Sequence, residues 1–119
     1  MVLAASTLAV FGRFQNYGPE SAVRRFHDAV SAGNGKEIDA VVVGSARSSA
    51  TIELQNTLRS VHLGRSRYSI VKSERSPTQV DMLTLYENKK TMVWVVTKER
   101  DHWRIDAYLT LQALRGLGY

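Results

Sequence analysis

The amino-acid sequence predicts an α+β domain in which helices come first and an antiparallel sheet follows. Apolar residues recur at three- and four-residue steps as far as Gly64, and beyond Gly64 they recur at every second position. The links between the later segments are short, which favours sequential antiparallel pairing in a meander. Helices followed by strands, without alternation of the two, are typical of the α+β class.

Length and composition indicate one globular domain. The chain has 119 residues, 44% of them hydrophobic and 23% charged, which suits a single domain with a real core. We expect an apolar N-terminal segment over residues 1–17 and one domain over residues 18–119. There is no cysteine, which excludes disulfides, thiolate nucleophiles and cysteine-based zinc sites. The three histidines show no metal-ligand spacing, so we expect neither a metal nor a cofactor.

The first residues, MVLAASTLAVFGRF, are apolar but few. A membrane span needs about 20 apolar residues, and a signal peptide needs a basic start that is missing here. Two interpretations remain: a short helix that packs on the domain, or the trimmed end of an anchor from a longer precursor. We expect no membrane contact unless residues 1–14 are such an anchor. A cytoplasmic location is favoured over an anchored, extracytoplasmic one.

Three helices are predicted in the first half of the chain. In GPESAVRRFHDAVSAG, Pro19 suits the first turn, Glu20 complements the positive end of the helix dipole, and Gly33 supplies a stop. NGKEIDAVVVG predicts a short second helix. The third is expected from near Ser45 to Gly64.

Four strands are predicted after the helices: RYSIVKSER, TQVDMLTLYE, KTMVWVVTKE and HWRIDAYLTL. The second strand carries apolar side chains on both faces, with Leu83 and Leu85 opposite Val80 and Met82. A sheet with one face in water would alternate with polar residues instead. One face must cover the helices, and we expect a second copy of the chain to bury the other face, in a homodimer.

Several of these segments together resemble the nuclear transport factor 2-like superfamily. They are a helix of the form P-E-x-A-V-x-x-F-x-x-A-V, a small-residue break at residues 31–34, a short second helix and a closing strand of the form W-R-I-D. The resemblance covers about residues 18–110. It implies a cystatin-like cone whose sheet curls around the first helix and leaves a pocket, as in ketosteroid isomerases, scytalone dehydratases and polyketide cyclase-like proteins. That cone serves enzymes, binding modules and assembly domains alike.

The implied pocket would be apolar with a few polar groups. Its expected lining residues are Tyr17, Phe26, Val30, Met82, Trp94 and Trp103. A carboxylate buried there would have a raised pKa suited to proton transfer. The acid–base candidates are Asp39, Asp106, Tyr108 and His27.

Each acid–base candidate also has a structural interpretation. Asp39 suits an exposed helix position, and His27 lies off the centre of an apolar helical stripe, where a partly exposed or capped histidine is expected. Asp106 and Tyr108 share one face of the last predicted strand, and we place them in the seam of the dimer, beside Arg104. Trp103 is expected on the buried face of that strand.

The net charge of +5 favours anionic partners. The densest basic stretch comprises Arg59, Arg65, Arg67, Lys72 and Arg75. No nucleic-acid-binding motif accompanies it, so we expect a solvated face and no nucleic-acid partner.

Three functional hypotheses follow, in this order. The first is a non-catalytic, dimeric domain that binds a small apolar ligand or serves as an assembly module. The second is an isomerase, dehydratase or cyclase that uses a pocket carboxylate such as Asp39 or Asp106 with a tyrosine or histidine partner. The third is an anion or nucleic-acid binder that uses the basic stretch. There is no Gly-rich phosphate loop, Ser-His-Asp pattern or paired-carboxylate motif.

Overall fold

The computed structural model describes residues 18–62 and 67–118, and these confirm the α+β class. The predicted N-terminal segment lies outside them. The strands pair antiparallel in the order β1-β2-β3-β4. The elements, in chain order, are α1 (Pro19–Ala32), α2 (Gly35–Val41), α3 (Ser49–Val61), β1 (Tyr68–Arg75), β2 (Gln79–Tyr86), β3 (Thr91–Glu99), β4 (His102–Ile105) and α4 (Ala107–Gly116).

Helix α1 forms where the sequence predicted it. Pro19 occupies the first turn, where its missing N–H costs nothing, and Glu20 adds a negative charge there. Gly33 ends the helix with φ of 67°, a left-handed backbone that glycine adopts without a Cβ clash, and its N–H donates to the Val30 carbonyl. Phe26 and its apolar neighbours on the same stripe are buried against the sheet.

The next two helices are capped by side chains. Asn34 accepts the N–H of Glu37 at the start of α2, and Ser48 accepts the N–H of Thr51 at the start of α3. Because Ser48 is the cap, α3 begins later than the predicted start near Ser45. No helix in residues 18–62 and 67–118 is long and apolar enough to cross a membrane.

The two faces of the sheet differ in burial. The inner face is the one against α1, and its residues on β2 and β3 are fully buried: Val80, Met82, Thr84, Tyr86, Met92, Trp94 and Val96. The outer face holds the alternate positions, where Leu83 and Val93 are half-buried, Leu85 is exposed and Val95 is buried. A register shift between Ile70 and Lys72 places Lys72 opposite Leu83, on the outer face.

The predicted strand HWRIDAYLTL is wrong beyond Ile105. Strand β4 ends at Ile105, and α4 begins at Ala107. The Asp106 carboxylate between them accepts the N–H of Leu109 at 3.0 Å, as an N-cap does. The buried residues Ala107, Leu111 and Leu114 follow at helical spacing. Asp106 and Tyr108 therefore do not share a face of a strand.

Helix α4 takes the place of a strand along the edge of β3. The Thr110 hydroxyl accepts the N–H of Val95 at 2.9 Å and lies 3.4 Å from the Val95 carbonyl, to which it donates. The N–H of Asp106 donates to the same carbonyl at 2.9 Å. An unpaired strand edge exposes backbone groups that invite pairing with other chains. Here a helix satisfies those of Val95.

Replacing Asp106 by alanine removes the cap of α4 and should lower the free energy of unfolding by about 1 kcal/mol. Asp106→Asn retains an acceptor oxygen and should stay within about 0.5 kcal/mol of the parent. Urea unfolding followed by circular dichroism measures both variants. Equal stability of the alanine and asparagine variants would contradict the cap.

Replacing Thr110 by valine keeps the shape of the side chain but leaves the buried N–H of Val95 unpaired. The free energy of unfolding should fall by about 1–3 kcal/mol. Amide hydrogen exchange observed by NMR should be faster at Val95 in Thr110→Val than in Thr110→Ser, which retains the hydroxyl. The same Val95 exchange rate in both variants would refute the bond.

Candidate functional site

The inner side of the fold holds a cluster of aromatic rings centred on His27. We call His27, His62, Tyr68, Tyr86 and Trp94 the aromatic cluster. The His27 ring stacks on Tyr68, with centroids 4.1 Å apart, and meets His62 edge-on at 5.3 Å. It lies 5.1 Å from the ring of Trp94 on β3. The cluster joins α1 and the end of α3 to β1, β2 and β3.

Both ring nitrogens of His27 are hydrogen-bonded. Nδ1 lies 2.7 Å from the Val23 carbonyl, an acceptor, so Nδ1 carries the proton. In that neutral tautomer Nε2 is an acceptor, and the Tyr86 hydroxyl donates to it at 2.8 Å. The prediction of a partly exposed His27 is wrong: the residue is 3% exposed. Burial is tolerated because both nitrogens have partners.

The polar groups beside His27 form a connected network. The Trp94 indole N–H donates to the Thr84 hydroxyl at 3.0 Å, and that hydroxyl donates to the Met92 carbonyl at 3.3 Å. Thr84 is fully buried and lies 3.4 Å from the Tyr86 hydroxyl. Each buried polar side chain in this network thus has a hydrogen-bond partner, which stabilises a single arrangement of the core.

Burial sets the charge state of the aromatic cluster. Desolvation lowers the pKa of His27 to about 4; the bond to the Val23 carbonyl opposes this, and nearby His62 adds to it. Desolvation also lowers the pKa of His62, whose Nδ1 is buried without a hydrogen-bond partner. It raises the pKa of Tyr68 to about 12. His27, His62 and Tyr68 are therefore neutral at neutral pH.

His27 is held by contacts within the core and is not free to act as a base. A general base needs an acceptor within hydrogen-bond reach of a substrate proton. Nε2 of His27 already accepts from Tyr86, and neighbouring rings enclose the imidazole. The arrangement can orient Tyr86 and fix α1 on the sheet.

The other predicted acid–base residues lie apart from His27. Asp39 is exposed and accepts the N–H of Ala46 in the turn before α3. Asp106 caps α4, and Tyr108 is 61% exposed, where it accepts the Gln112 amide. Among the described residues no hydrogen bond joins any two of the four candidates. The structure brings none of them together.

The predicted pocket positions are mostly core. Phe26, Val30, Met82 and Trp94 are buried, and the rings of Phe26 and Trp94 meet edge-on at 5.5 Å. Trp103, expected to be buried, is only half-buried and lines a cavity elsewhere. Tyr17 lies outside the described residues. The buried polar network was not predicted from the sequence. Thr84, a polar residue at an inward position between apolar ones, is the residue that could have indicated it.

The predicted basic stretch does not form one surface. Lys72 lies on the outer face, 3.3 Å from Glu74 of its own strand. Arg75 pairs with β2 in the opposite phase and lies toward α1, within ion-pair distance of that helix. Arg59 is exposed on α3, and Arg67 is exposed directly before β1. Arg65 lies outside the described residues.

A half-enclosed cavity of about 280 Å³ lies between the start of α1, α2 and β4. Arg104 lines it, and the Arg104 Nε is buried without a hydrogen-bond partner. Sequence reasoning placed Arg104 in a dimer seam and missed this cavity, which three separate segments form. Its lining residues are Gly18, Ser21, Ala22, Arg25, Ala40, His102, Trp103 and Arg104.

Comparisons of the chain with protein-family models, with curated proteins and with solved structures give no match. Within residues 18–62 and 67–118, no group of three His, Cys, Asp or Glu side chains is arranged to hold a metal ion. The geometry of the chain itself must therefore support any functional conclusion.

The free energy of unfolding should fall on acidification from pH 6.5 to pH 4. Unfolded His27 takes up a proton near pH 6.5, whereas folded His27 does so near pH 4, so protons favour the unfolded state in this window. Stability from this group is full above pH 6.5, and the loss amounts to about 3 kcal/mol at pH 4. The lowered pKa of His62 acts in the same direction.

Urea unfolding at several pH values measures this slope, and NMR of the His27 ring follows its protonation. His27→Gln should reduce the slope, and His102→Gln, at an exposed position, should leave it unchanged. Protonation of folded His27 near pH 6.5 would contradict the neutral, buried imidazole.

Proposed function

We propose that this domain is a non-catalytic assembly module that pairs with a second copy through the outer face of its sheet. The observation that carries this is the apolar centre of that face. Leu83 and Val93 are directly opposite each other on β2 and β3, and both are half-buried. Leu85, two residues along β2, is 37% exposed. Burial of this centre against a like surface would remove it from water.

The surroundings of this apolar centre suit an interface. Polar residues at the same face border it, and interfaces commonly combine an apolar centre with a polar rim. Glu74 and Asp81 are paired directly across β1 and β2, and like charges so placed repel. Lys72 lies on the same face. A rim with charges of both signs can complement itself when a copy is rotated onto it.

The interior favours a non-catalytic role. His27 has both nitrogens occupied, and Asp39 and Asp106 accept backbone N–H groups instead of facing a substrate space. The positions that would line a pocket in a related cone are filled by packed side chains. This supports assembly over the binding of an apolar ligand in the interior, and over isomerase, dehydratase or cyclase chemistry there.

We also propose that the fold is a nuclear transport factor 2-like cone. The support is the order of elements, three helices and then a four-stranded antiparallel meander with α1 against its inner face. The replacement of the end of the last predicted strand by α4 is a departure from the expected pattern. Self-association of the outer face does not depend on this assignment.

Sedimentation velocity at micromolar concentration tests the pairing. The parent should sediment as a dimer of twice 13.3 kDa. Leu85→Asp places a charge in the apolar centre and should raise the dissociation constant by roughly tenfold or more. Ile52→Asp is the matched control, because Ile52 is also an exposed apolar residue but lies on α3.

Three results would overturn the proposal. They are a monomeric parent at these concentrations, equal dissociation of both variants, or a dimer that Leu85→Asp leaves intact. Circular dichroism of each variant verifies that the fold is retained.

A further inference from the structure

We propose that the His62 ring is an acid-sensitive gate over the hydrogen bond between His27 and Tyr86. At neutral pH the ring lies beside both partners of this bond, with centroids 5.3 Å from the His27 ring and 5.1 Å from the Tyr86 ring. On protonation the His62 ring turns out into water, and His27 becomes accessible while the fold is retained. The gate belongs to the inner side of the fold and does not depend on pairing through the outer face.

The position of His62 lets its ring move while the backbone stays in place. His62 is half-buried and directly follows α3, and its backbone N–H donates to the Leu58 carbonyl at 2.7 Å. The preceding residue, Val61, is buried, and its carbonyl accepts the Asn88 side-chain amide at 2.7 Å. Rotation about the Cα–Cβ bond of His62 moves the ring toward solvent without breaking either of these bonds.

The Nδ1 atom of His62 decides the direction of the response. Nδ1 is buried and has no hydrogen-bond partner among the described residues. In a neutral ring with its proton on Nε2, this atom is an acceptor without a donor. Protonation turns it into a charged donor, and burial of a charged donor without an acceptor is far more unfavourable. Water satisfies that donor outside the cluster, where the nearby carbonyl end of α3 also favours a positive charge.

The groups around the cluster do not hold a protonated His62 ring in place. Titratable or charged side chains come from α1, α3, the first two strands and the turn after β2: Arg24, His27, Asp28, Arg59, Tyr68, Tyr86 and Lys90. Arg24 and Asp28 act on Tyr68 with opposite signs. The Lys90 ammonium lies 3.5 Å from the Ser60 carbonyl, which adds positive charge at the end of α3.

Desolvation lowers the pKa of the enclosed His62 ring below 6.5. An exposed ring takes up a proton near pH 6.5, whereas the enclosed ring does so only at lower pH. Acid therefore favours the open position, and the closed position is fully favoured above pH 6.5. His27 cannot respond in the same way, because it is 3% exposed and both of its nitrogens are hydrogen-bonded.

The ring N–H of His27 reports whether the gate is open. Nδ1 of His27 donates to the Val23 carbonyl at 2.7 Å in the buried cluster, so this proton exchanges with water only when its surroundings open. One pH unit below the pKa of an exposed histidine, protonation multiplies the open population of the His62 ring by at most about tenfold. NMR of the ¹⁵N-labelled protein measures the exchange rate of the His27 proton.

Two variants separate the ring of His62 from its charge. His62→Phe keeps a ring that cannot be protonated, and His62→Ala removes ring and charge together. The ratio of the exchange rate in the parent to that in His62→Phe should rise severalfold, up to about tenfold, between pH 7.5 and pH 5.5. Because both proteins share the intrinsic pH dependence of exchange, this ratio isolates the gate. His62→Ala should exchange at least roughly tenfold faster than His62→Phe at both pH values. His102→Gln, at an exposed position, should match the parent.

A measurement on the parent alone keeps the test decisive if a variant does not fold. Nuclear Overhauser contacts between the rings of His62 and Tyr86 should disappear as His62 takes up its proton, while those between His27 and Trp94 remain. The gate is refuted if protonated His62 keeps its contacts with Tyr86, if the exchange-rate ratio does not change with pH, or if His62→Phe and His62→Ala exchange equally. Simultaneous loss of the contacts between His27 and Trp94 would also refute it, because the fold would then open as a whole.

Discussion

The arrangement of the whole domain depends on one buried imidazole between helix α1 and the sheet. His27 donates to its own helix at Val23 and accepts from Tyr86 on β2, so it joins the helix to the sheet by a buried hydrogen bond. The bonds need a neutral ring, and burial keeps the ring neutral by lowering its pKa to about 4. The stability of the interface between the layers is therefore linked to pH.

Packed side chains fill the interior, and the remaining candidate features lie at the surface. The sheet closes over Phe26 and the aromatic cluster, where His27 supports packing. Asp106 caps α4, and Asp39 accepts an N–H in the turn before α3. Two surface features remain with chemistry of their own. One is the apolar centre of the outer face. The other is the cavity between α1, α2 and β4.

The two sides of the sheet are protected against strand addition in different ways. Strand β4 is short, and beyond it α4 satisfies the backbone of Val95 through Thr110 and Asp106. On the other side, β1 is the exposed edge strand, and it carries Lys72, Glu74 and Arg75. Charged side chains on an edge discourage the addition of further strands.

The burial of His27 and the cavity of Arg104 could not be predicted from the sequence. Spacing placed His27 off the apolar stripe, and its burial depends on Tyr86, a partner 59 residues away. Likewise, the Arg104 cavity exists only where α1, α2 and β4 converge. The segment around Asp106 carries two sequence patterns that favour different structures. Alternation in HWRIDAYLTL favours a strand, whereas Asp106 as an N-cap and the apolar residues at helical spacing after it favour a helix.

The sequence by itself determined where the first helix begins and ends and where the helices give way to strands. Pro19 and Gly33 set the ends of α1 through backbone geometry, and the change of apolar period separated helices from strands. Those features act within a few residues, so no distant partner is needed to interpret them. Only the tertiary structure decided which histidine is buried between two hydrogen-bond partners and which arginine nitrogen is buried without one, because hydrogen-bond satisfaction depends on groups brought together by folding.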